Sequence, residues 1–286
     1  MTLNLKPTLL AAFTVTLGSI AALDAGQIFR DDFNGRRGAR QGNQWEKETH
    51  AQGRGTFGKD AWLDGNGVAH ISVARRNPSA PGRFLQTVIR TKRTFAPKPG
   101  RVLDFRIRAK ITAENQRGIV FGFFTYNQFY FRNANRSNEL DFEWLTNLTA
   151  NRSQDTLLVS TWRDWNRDEP KYGIWNDFKH GTHRSETKAL SANAGDWHTY
   201  TMRWGQGRVE FFRDNPINGK WVYLGGYYGA GVPTGAQRLF VNAWVPDSSW
   251  AQAYNAGLTP TNNASQNAYY TMLVDWVQVN DNPAPR

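Results

Sequence analysis

Alternating apolar and polar residues along the chain predict β-strands. The clearest stretch runs from residue 103 to 111, where Leu, Phe, Ile and Ala at odd positions alternate with Asp, Arg and Lys at even positions. Because successive strand side chains point to opposite faces, this stretch predicts a strand with one buried face and one solvated face. Residues 118–126 are almost continuously apolar, which predicts a strand covered on both faces. A short strand and turn are predicted at residues 26–35, and further strands at residues 68–75, 84–91, 156–162, 197–204, 208–213, 239–244 and 271–279.

Turn-forming and charged stretches separate these strands. Gly205-Gln206-Gly207 lies between two of them and predicts a hairpin turn. Loops are expected at residues 36–58, 127–131 and 163–188, with a frayed tail at 280–286. Many short strands with frequent turn signals predict an all-β protein, either a sandwich or a jelly roll. Since no repeat or linker-like stretch interrupts them, we expect one domain over residues 26–286.

Residues 138–144 carry the most unusual pattern in the chain. Read as a strand, this heptamer places three acids on one face: Glu139, Asp141 and Glu143. The opposite face carries Leu140, Phe142 and Trp144. Read as a helix, neighbouring acids would lie about 200° apart and would share no face. A strand face of three like charges is unfavourable in itself, so we expect a function there that offsets the cost.

Two carboxyl groups in different protonation states are what glycoside hydrolysis requires. One protonates the leaving oxygen, and the other attacks the sugar or activates water. Glu139 and Glu143 would lie about 13 Å apart along an ideal strand, and inward-leaning side chains on a curved sheet would narrow this toward the roughly 5 Å of a retaining pair. Asp141 between them would hold one glutamate and help to separate their pKa values. The spacing leaves a solvated acidic face or a cation site open as alternatives.

Composition narrows the chemistry further. The chain has no Cys, which excludes disulfides and thiolate metal sites. The five His show no metal-ligand spacing, and neither a phosphate-binding loop nor a nucleophilic Ser elbow occurs in the sequence. Arg and aromatic residues are spread without a nucleic-acid-binding signature, so no nucleic-acid partner is expected. The net charge of +11 favours anionic polymers or cell walls as partners, or it reflects surface solubility alone.

The first 25 residues resemble a secretion signal. Lys6 precedes an apolar stretch from Leu9 to Ala22, and small residues continue to Ala25. This stretch is shorter than a membrane span requires. We therefore expect a signal peptide over residues 1–25, cleavage near Ala25, and a secreted protein, extracellular or periplasmic, with no membrane attachment afterwards.

Several segments together resemble the family 16 glycoside hydrolases. Glu139-Leu-Asp-Phe-Glu143 matches their signature Glu-x-Asp-x-Glu, in the form without an extra bulge residue. Asn242-Ala-Trp244 followed by Ser249-Trp250 is similar to the family's cleft segment with one Asn and two Trp. Weaker likenesses follow the family's order at residues 31–35, 196–214 and 274–279.

The resemblance implies a β-jelly roll, a concanavalin A-like sandwich of two curved antiparallel sheets, and a retaining double displacement. By position it implies Glu139 as nucleophile, Asp141 as assisting acid and Glu143 as acid/base. The implied substrate-binding residues are Asn242, Trp244 and Trp250. Trp162, on the strand after the signature, is a further substrate-binding candidate, because an indole face stacks well on a pyranose ring.

The resemblance requires no cofactor, although some family members carry a structural calcium on the convex side. Asp275 and the pair Asp31 and Asp32 are the candidates for contributing to such a site. We expect a monomer with a polysaccharide substrate. The expected function is a retaining endo-glycoside hydrolase of β-1,3/1,4-linked glucan. The open alternatives are a transglycosylase on β-glucan or xyloglucan, a hydrolase of agar- or carrageenan-type galactan, and a non-catalytic polysaccharide-binding protein.

Overall fold

The computed structural model describes residues 26–113, 115–131, 134–149, 156–166, 182–190, 192–214 and 220–285. The predicted signal peptide, residues 1–25, and most of the predicted loop 163–188 lie outside the described residues. Over the residues that are described, no helix is long and apolar enough to cross a membrane.

Strands make up most of the described chain. They are β1 (Gln27–Asp31), β2 (Trp45–Lys47), β3 (Ala51–Gln52), β4 (Gly55–Lys59), β5 (Trp62–Leu63), β6 (Ala69–Ala74), β7 (Phe84–Phe95), β8 (Arg101–Ile111), β9 (Val120–Phe131), β10 (Ala134–Leu145), β11 (Thr156–Asn166), β12 (Thr182–Ala189), β13 (His198–Gly205), β14 (Arg208–Asp214), β15 (Trp221–Tyr228), β16 (Gln237–Trp244) and β17 (Tyr269–Pro283). The helical segments described are α1 (Thr146–Thr149) and a 3-10 turn at Ala264–Gln266.

The strands form two antiparallel layers. One layer has the order β12–β11–β10–β9–β16–β7, and we call it the acid-bearing sheet because β10 contains the three acids. The other layer has the order β15–β14–β13–β8–β17, with β1 and β6 sharing the far side of β17. β6 and β7 pair at Ala74 and Leu85, which connects the two layers at one edge. The fold is therefore the all-β jelly-roll sandwich that the sequence predicts.

The core between the layers is set by the apolar face of β10. Leu140 and Phe142 are fully buried, and Trp144 is 1% exposed. The Trp144 ring meets Tyr200 of the opposite layer edge-on, with ring centroids 4.8 Å apart. Phe142 likewise lies 5.0 Å from Phe211. Each such burial contributes about 1.5–3 kcal/mol, so this face holds β10 in place while its acids point away from the core.

Four predicted irregular segments are wholly or partly strands in the structure. The predicted loop 127–131 continues β9, because Asn127 to Phe131 pair residue by residue with β10. The predicted tail is part of β17, which pairs with β8 as far as Pro283 and Arg101. Parts of the predicted loops 36–58 and 163–188 form β2, β3, β4 and β12 and the end of β11. Polar and aromatic residues fit these positions because ladder partners satisfy the backbone, which composition alone does not show.

Candidate active site

An open groove of about 930 Å³ crosses the outer side of the acid-bearing sheet. The side chains of Glu139, Asp141 and Glu143 line it together. The register between β9 and β10 is continuous from residue 134 to 145, so the acidic motif contains no bulge on that side. Strand alternation therefore delivers all three acids to one surface, as the sequence predicts.

Each acid belongs to a row of residues that runs across the strands. The first row is Arg238, Tyr126, Glu139 and Trp162. The second row is Arg90, Phe240, Phe124 and Asp141. The third row is Asn242, Gly122 and Glu143. Neighbouring strands lie about 4.8 Å apart, so a linear polymer lying across the strands would meet these rows in succession.

Asp141 is the most buried of the three acids, with 3% of its surface exposed. Burial raises the pKa of Asp141 well above its ordinary value, and the charges of Glu139 and Glu143 add to this increase. A hydrogen bond between Asp141 and Glu139 acts in the same direction, whereas the indole N–H of Trp162 lowers the pKa. These surroundings therefore favour the protonated form of Asp141, which is next to Glu139 and hydrogen-bonded to it.

Glu143 is half-buried at the groove wall. Burial, followed by the charge of Glu139, raises the pKa of Glu143 to about 8. A carboxyl group that keeps its proton at neutral pH is suited to act as a general acid. The charge of Glu139 therefore acts on Glu143, although the two residues are four positions apart on β10.

One wall of the groove is aromatic. Trp162, predicted as a substrate-binding residue, lies directly opposite Glu139 and lines the groove together with Trp165. The indole Nε1–H of Trp162 donates a hydrogen bond to Asp141 Oδ2 at 3.2 Å. The two indole rings meet edge-on, with centroids 5.0 Å apart. Trp165, which the sequence placed in a loop, is thus at the end of β11 beside the acids.

The side chain of Asn242 enters the groove over Gly122, which has no side chain of its own. Asn242 and Glu143 both pair with Gly122 from opposite sides, on β16 and β10. A Cβ atom on Gly122 would lie 2.6 Å from Asn242 Oδ1, closer than any real side chain allows. Asn242 is 9% exposed, and its Oδ1 has no hydrogen-bond partner among the described residues. Gly122 therefore leaves the space through which this amide faces Glu143, and a substrate hydroxyl is a suitable partner for it.

The two Trp residues of the predicted cleft segment occupy different positions. Trp244 lines the groove on the side of Asn242. Trp250 packs behind it, with ring centroids 5.7 Å apart, against an apolar cluster that includes Val120 and Leu158. Trp250 thus supports Trp244 in this structure and is not among the groove-lining residues described.

Sequence reasoning missed the opposite arm of the groove. Its members are Phe124, Tyr126, Arg90, Arg238 and Phe240. The prediction that residues 118–126 are covered on both faces is wrong at this end, since Phe124 and Tyr126 are only half-buried and face the groove. Phe124 and Phe240 stack with centroids 4.9 Å apart. An aromatic groove floor gives the same apolar pattern as a doubly covered strand, so hydropathy alone does not distinguish them.

The carboxylates suggested for calcium have protein partners. Asp31 accepts hydrogen bonds from Trp45 Nε1 and the Phe33 amide, both at 2.8 Å. Asp32 pairs with Arg30, and Asp275 pairs with Arg108. Within the described part of the chain, no group of three or more His, Cys, Asp or Glu side chains is placed to hold a metal. Asp31, Asp32 and Asp275 are therefore each engaged by protein donors, and a structural calcium stays a prediction.

Solved structures with the same fold include several glucanases. The endo-1,3-β-glucanase of Streptomyces sioyaensis is 20% identical, covers 93% of this chain and 100% of its own, and superposes with a TM-score of 0.63. A Bacteroides ovatus family 16 protein of a mixed-linkage glucan locus, solved with a G4G4G3G product, is 16% identical over 88% and 99% of the two chains, with a TM-score of 0.58. A Mycobacterium tuberculosis immunostimulatory antigen and pseudo β-1,3-glucanase is 17% identical over 90% and 99%, with a TM-score of 0.62.

At these identities the solved structures establish the fold alone. A comparison with curated proteins found no match. The model of the glycosyl hydrolases of family 16 matches residues 100–278, which include β10, the aromatic wall and the cleft segment. Because this match spans more than half of the chain, the protein belongs to glycoside hydrolase family 16.

Proposed function

We propose that this protein is a secreted retaining endo-glycoside hydrolase that cleaves β-1,3/1,4-linked glucan. The observation that carries the proposal is the pairing, in one open groove, of Glu139 with a Glu143 whose pKa is raised to about 8. Family 16 membership supports the reaction class. The glucanases among the structures of the same fold support the choice of glucan for the first assays.

The proposed reaction has two steps. First, the Glu139 carboxylate attacks the anomeric carbon while Glu143 gives its proton to the leaving oxygen, which forms a glycosyl ester and releases one chain end. Then the Glu143 carboxylate takes a proton from water, and the resulting hydroxide displaces Glu139 from the sugar. Asp141 donates a hydrogen bond to Glu139 and so spreads the negative charge that returns to this carboxylate. No cofactor is required.

The charges of the groove favour a neutral polymer. Arg90 and Arg238 line one arm, but both contact Glu46, at 3.2 Å and 3.0 Å. Arg90 also pairs with Glu48 at 2.6 Å. Because these carboxylates offset the guanidinium charges, the arm offers hydrogen-bond donors to hydroxyl groups without a strong net attraction for sulfate. A sulfated galactan is therefore a less suitable substrate than a glucan.

The remaining features of the proposal come from the sequence. The signal-like residues 1–25 support secretion to the extracellular or periplasmic space, followed by a catalytic domain over residues 26–286. We propose a monomer whose partner is the polysaccharide itself, with no nucleic-acid partner and no membrane attachment of the mature chain.

The test is reducing-end release by the mature protein on lichenan, laminarin, xyloglucan, agarose and carrageenan. Activity is expected on lichenan or laminarin and is expected to vanish in Glu139→Gln, which keeps the shape of the nucleophile but removes its charge. Release from agarose or carrageenan alone would instead favour a galactan hydrolase. No reducing-end release from any of the five polymers, together with retention on an affinity gel of one of them, would favour a binding protein. Transfer to added oligosaccharide acceptors would identify a transglycosylase.

Gly122→Ala tests the third row of the groove. The new Cβ is expected to displace the Asn242 amide and to lower kcat/KM on the polymer about 10-fold, comparable to the loss of one substrate hydrogen bond. The stability change is expected to stay within about 1 kcal/mol, because the atom that must move is the end of a side chain. Gly42→Ala is a matched control, since its nearest neighbour, Asp31 Oδ2, lies 3.7 Å away. Equal kinetics for the two variants would contradict a role for Asn242.

A further inference from the structure

Trp162 on β11 donates a hydrogen bond from its indole N–H to Asp141 on the neighbouring strand β10. Its indole N–H is purely a donor, so its hydrogen bond favours the ionised form of the Asp141 carboxyl group. The indole bond is made to Asp141 Oδ2, and the same carboxyl group also forms a hydrogen bond with Glu139. The Asp141 carboxyl group is therefore held between Trp162 on β11 and Glu139 on β10.

Neighbouring rings hold the plane of Trp162. The imidazole of His183 on β12 stacks on one indole face, with centroids 3.3 Å apart and planes 12° apart. Trp165 contacts the same indole edge-on. Burial lowers the pKa of His183 to about 4, so this ring is uncharged at the pH at which Glu143 keeps its proton. His183 therefore acts as a flat neutral support and leaves the charge balance of the acids unchanged.

A β-bulge brings the second ring to this position. β10 and β11 pair Glu139 with Trp162 and Ser137 with Trp165, so β11 contains one residue more than β10 over this interval. The extra residue is accommodated at Asp164, whose φ is +52°, an uncommon value outside glycine. Without it, strand alternation would send Trp165 away from the groove.

Side chains from β10 hold the bulge in place. The Asp164 amide donates to Asn138 Oδ1 at 2.8 Å. Arg136 Nη1 donates to the Asp164 carbonyl, also at 2.8 Å. Asn138 and Arg136 are both buried and lie immediately before Glu139 in sequence. The strand that contains the acids thus also fixes the local backbone of the strand that supports Asp141.

We propose that Trp162 is a positioning residue that fixes the orientation of Asp141 through its indole N–H, so that the Asp141 proton is directed at Glu139. The effect of this role on catalysis rests on the proposed function, but the hydrogen bond between Trp162 and Asp141 can be tested without substrate. It differs from the sugar-stacking role predicted from the sequence, since His183 already covers one face of the ring. Loss of the N–H is expected to leave Asp141 free to turn between Glu139 and Glu143.

The first test follows the Asp141 carboxyl carbon by NMR as a function of pH. In Trp162→Phe, the Asp141 titration is expected to move to higher pH by about one unit, because the lost N–H stabilised the ionised form. The other titratable groups that act on Asp141 are Glu139 and Glu143 on β10, with a longer-range electrostatic contribution from Tyr227 on β15, whose hydroxyl donates to the Val159 carbonyl. All of them are retained in this variant, so the shift reports the missing indole bond.

Trp62→Phe provides the matched control. Trp62 also stacks on a histidine, His70, with centroids 3.6 Å apart, but it is not among the residues that line the groove. The Asp141 titration is expected to be unchanged in this control. An Asp141 titration in Trp162→Phe that coincides with the wild type and the control would overturn the proposal.

A wild-type measurement keeps the test independent of how well the variant folds. The Trp162 indole N–H resonance is expected to shift with pH at the Asp141 midpoint, and Asp141→Asn is expected to remove that shift. An indole resonance that does not change with pH would contradict the assignment.

In kinetics, Trp162→Phe is expected to lower kcat about 10- to 100-fold while KM changes less than about threefold. A raised KM with unchanged kcat would instead identify a sugar platform. Inactive wild-type protein would count against the proposed function alone, since the titrations need no turnover.

Discussion

Replacing Glu143 by Gln is expected to lower kcat/KM on polymeric glucan by about 10²- to 10⁴-fold, the contribution typical of a general acid. The amide keeps the size of the side chain but has no proton to give to the leaving oxygen. Because the rate loss comes from proton donation, it is expected to be much smaller on an aryl glycoside whose leaving group departs without protonation. The comparison of the two substrates therefore separates loss of acid catalysis from loss of substrate binding.

The pH profile of the wild-type protein checks the same assignment. Glu143 must be protonated in the free enzyme, and its pKa is raised to about 8. kcat/KM is therefore expected to fall as the pH rises through about 8, with one proton lost. Glu143→Gln is expected to lack this alkaline limb, and Glu186→Gln on the exposed strand β12 is expected to retain it. An alkaline limb that persists in Glu143→Gln would assign the acid to another group.

The acidic motif shows how much of the site the sequence can predict. The alternation over residues 139–144 predicts both faces of β10 correctly, because a strand allows only two directions for a side chain. The burial of Phe142 and the groove position of Glu139 confirm this. The catalytic roles of the acids remain predictions, and the elevated pKa of Glu143 supports them.

Other parts of the site depend on register, which the sequence does not display. The position of Trp165 results from one extra residue at Asp164, and the space for Asn242 results from Gly122 on a strand far away in sequence. Neither feature can be predicted until the pairing of the strands is known. Arg238 was overlooked for the same reason, since only the pairing of β16 with β9 places it in the row of Glu139.

Phe142→Ala is expected to destabilise the protein by about 3–5 kcal/mol. The side chain is fully buried, and its ring contacts Trp144, Tyr200 and Phe211, with the centroids of the last two in the opposite layer. Removing the ring leaves a cavity between the layers directly beneath the acids, which these side chains are too constrained to fill. Chemical denaturation of both proteins at one pH measures the difference, and the thermal midpoint is expected to fall by roughly 10 °C.

Phe212→Ala on the outer side of the other layer is the matched control. Phe212 is half-buried and contacts Trp221 and Tyr223 near solvent, so the same change is expected to cost less than half as much. If the two variants were equally destabilised, the face of β10 opposite the acids would not be the main contact between the layers. The expected difference arises because Phe142 is fully buried between the layers, directly beneath the acids, whereas Phe212 is half-buried near solvent.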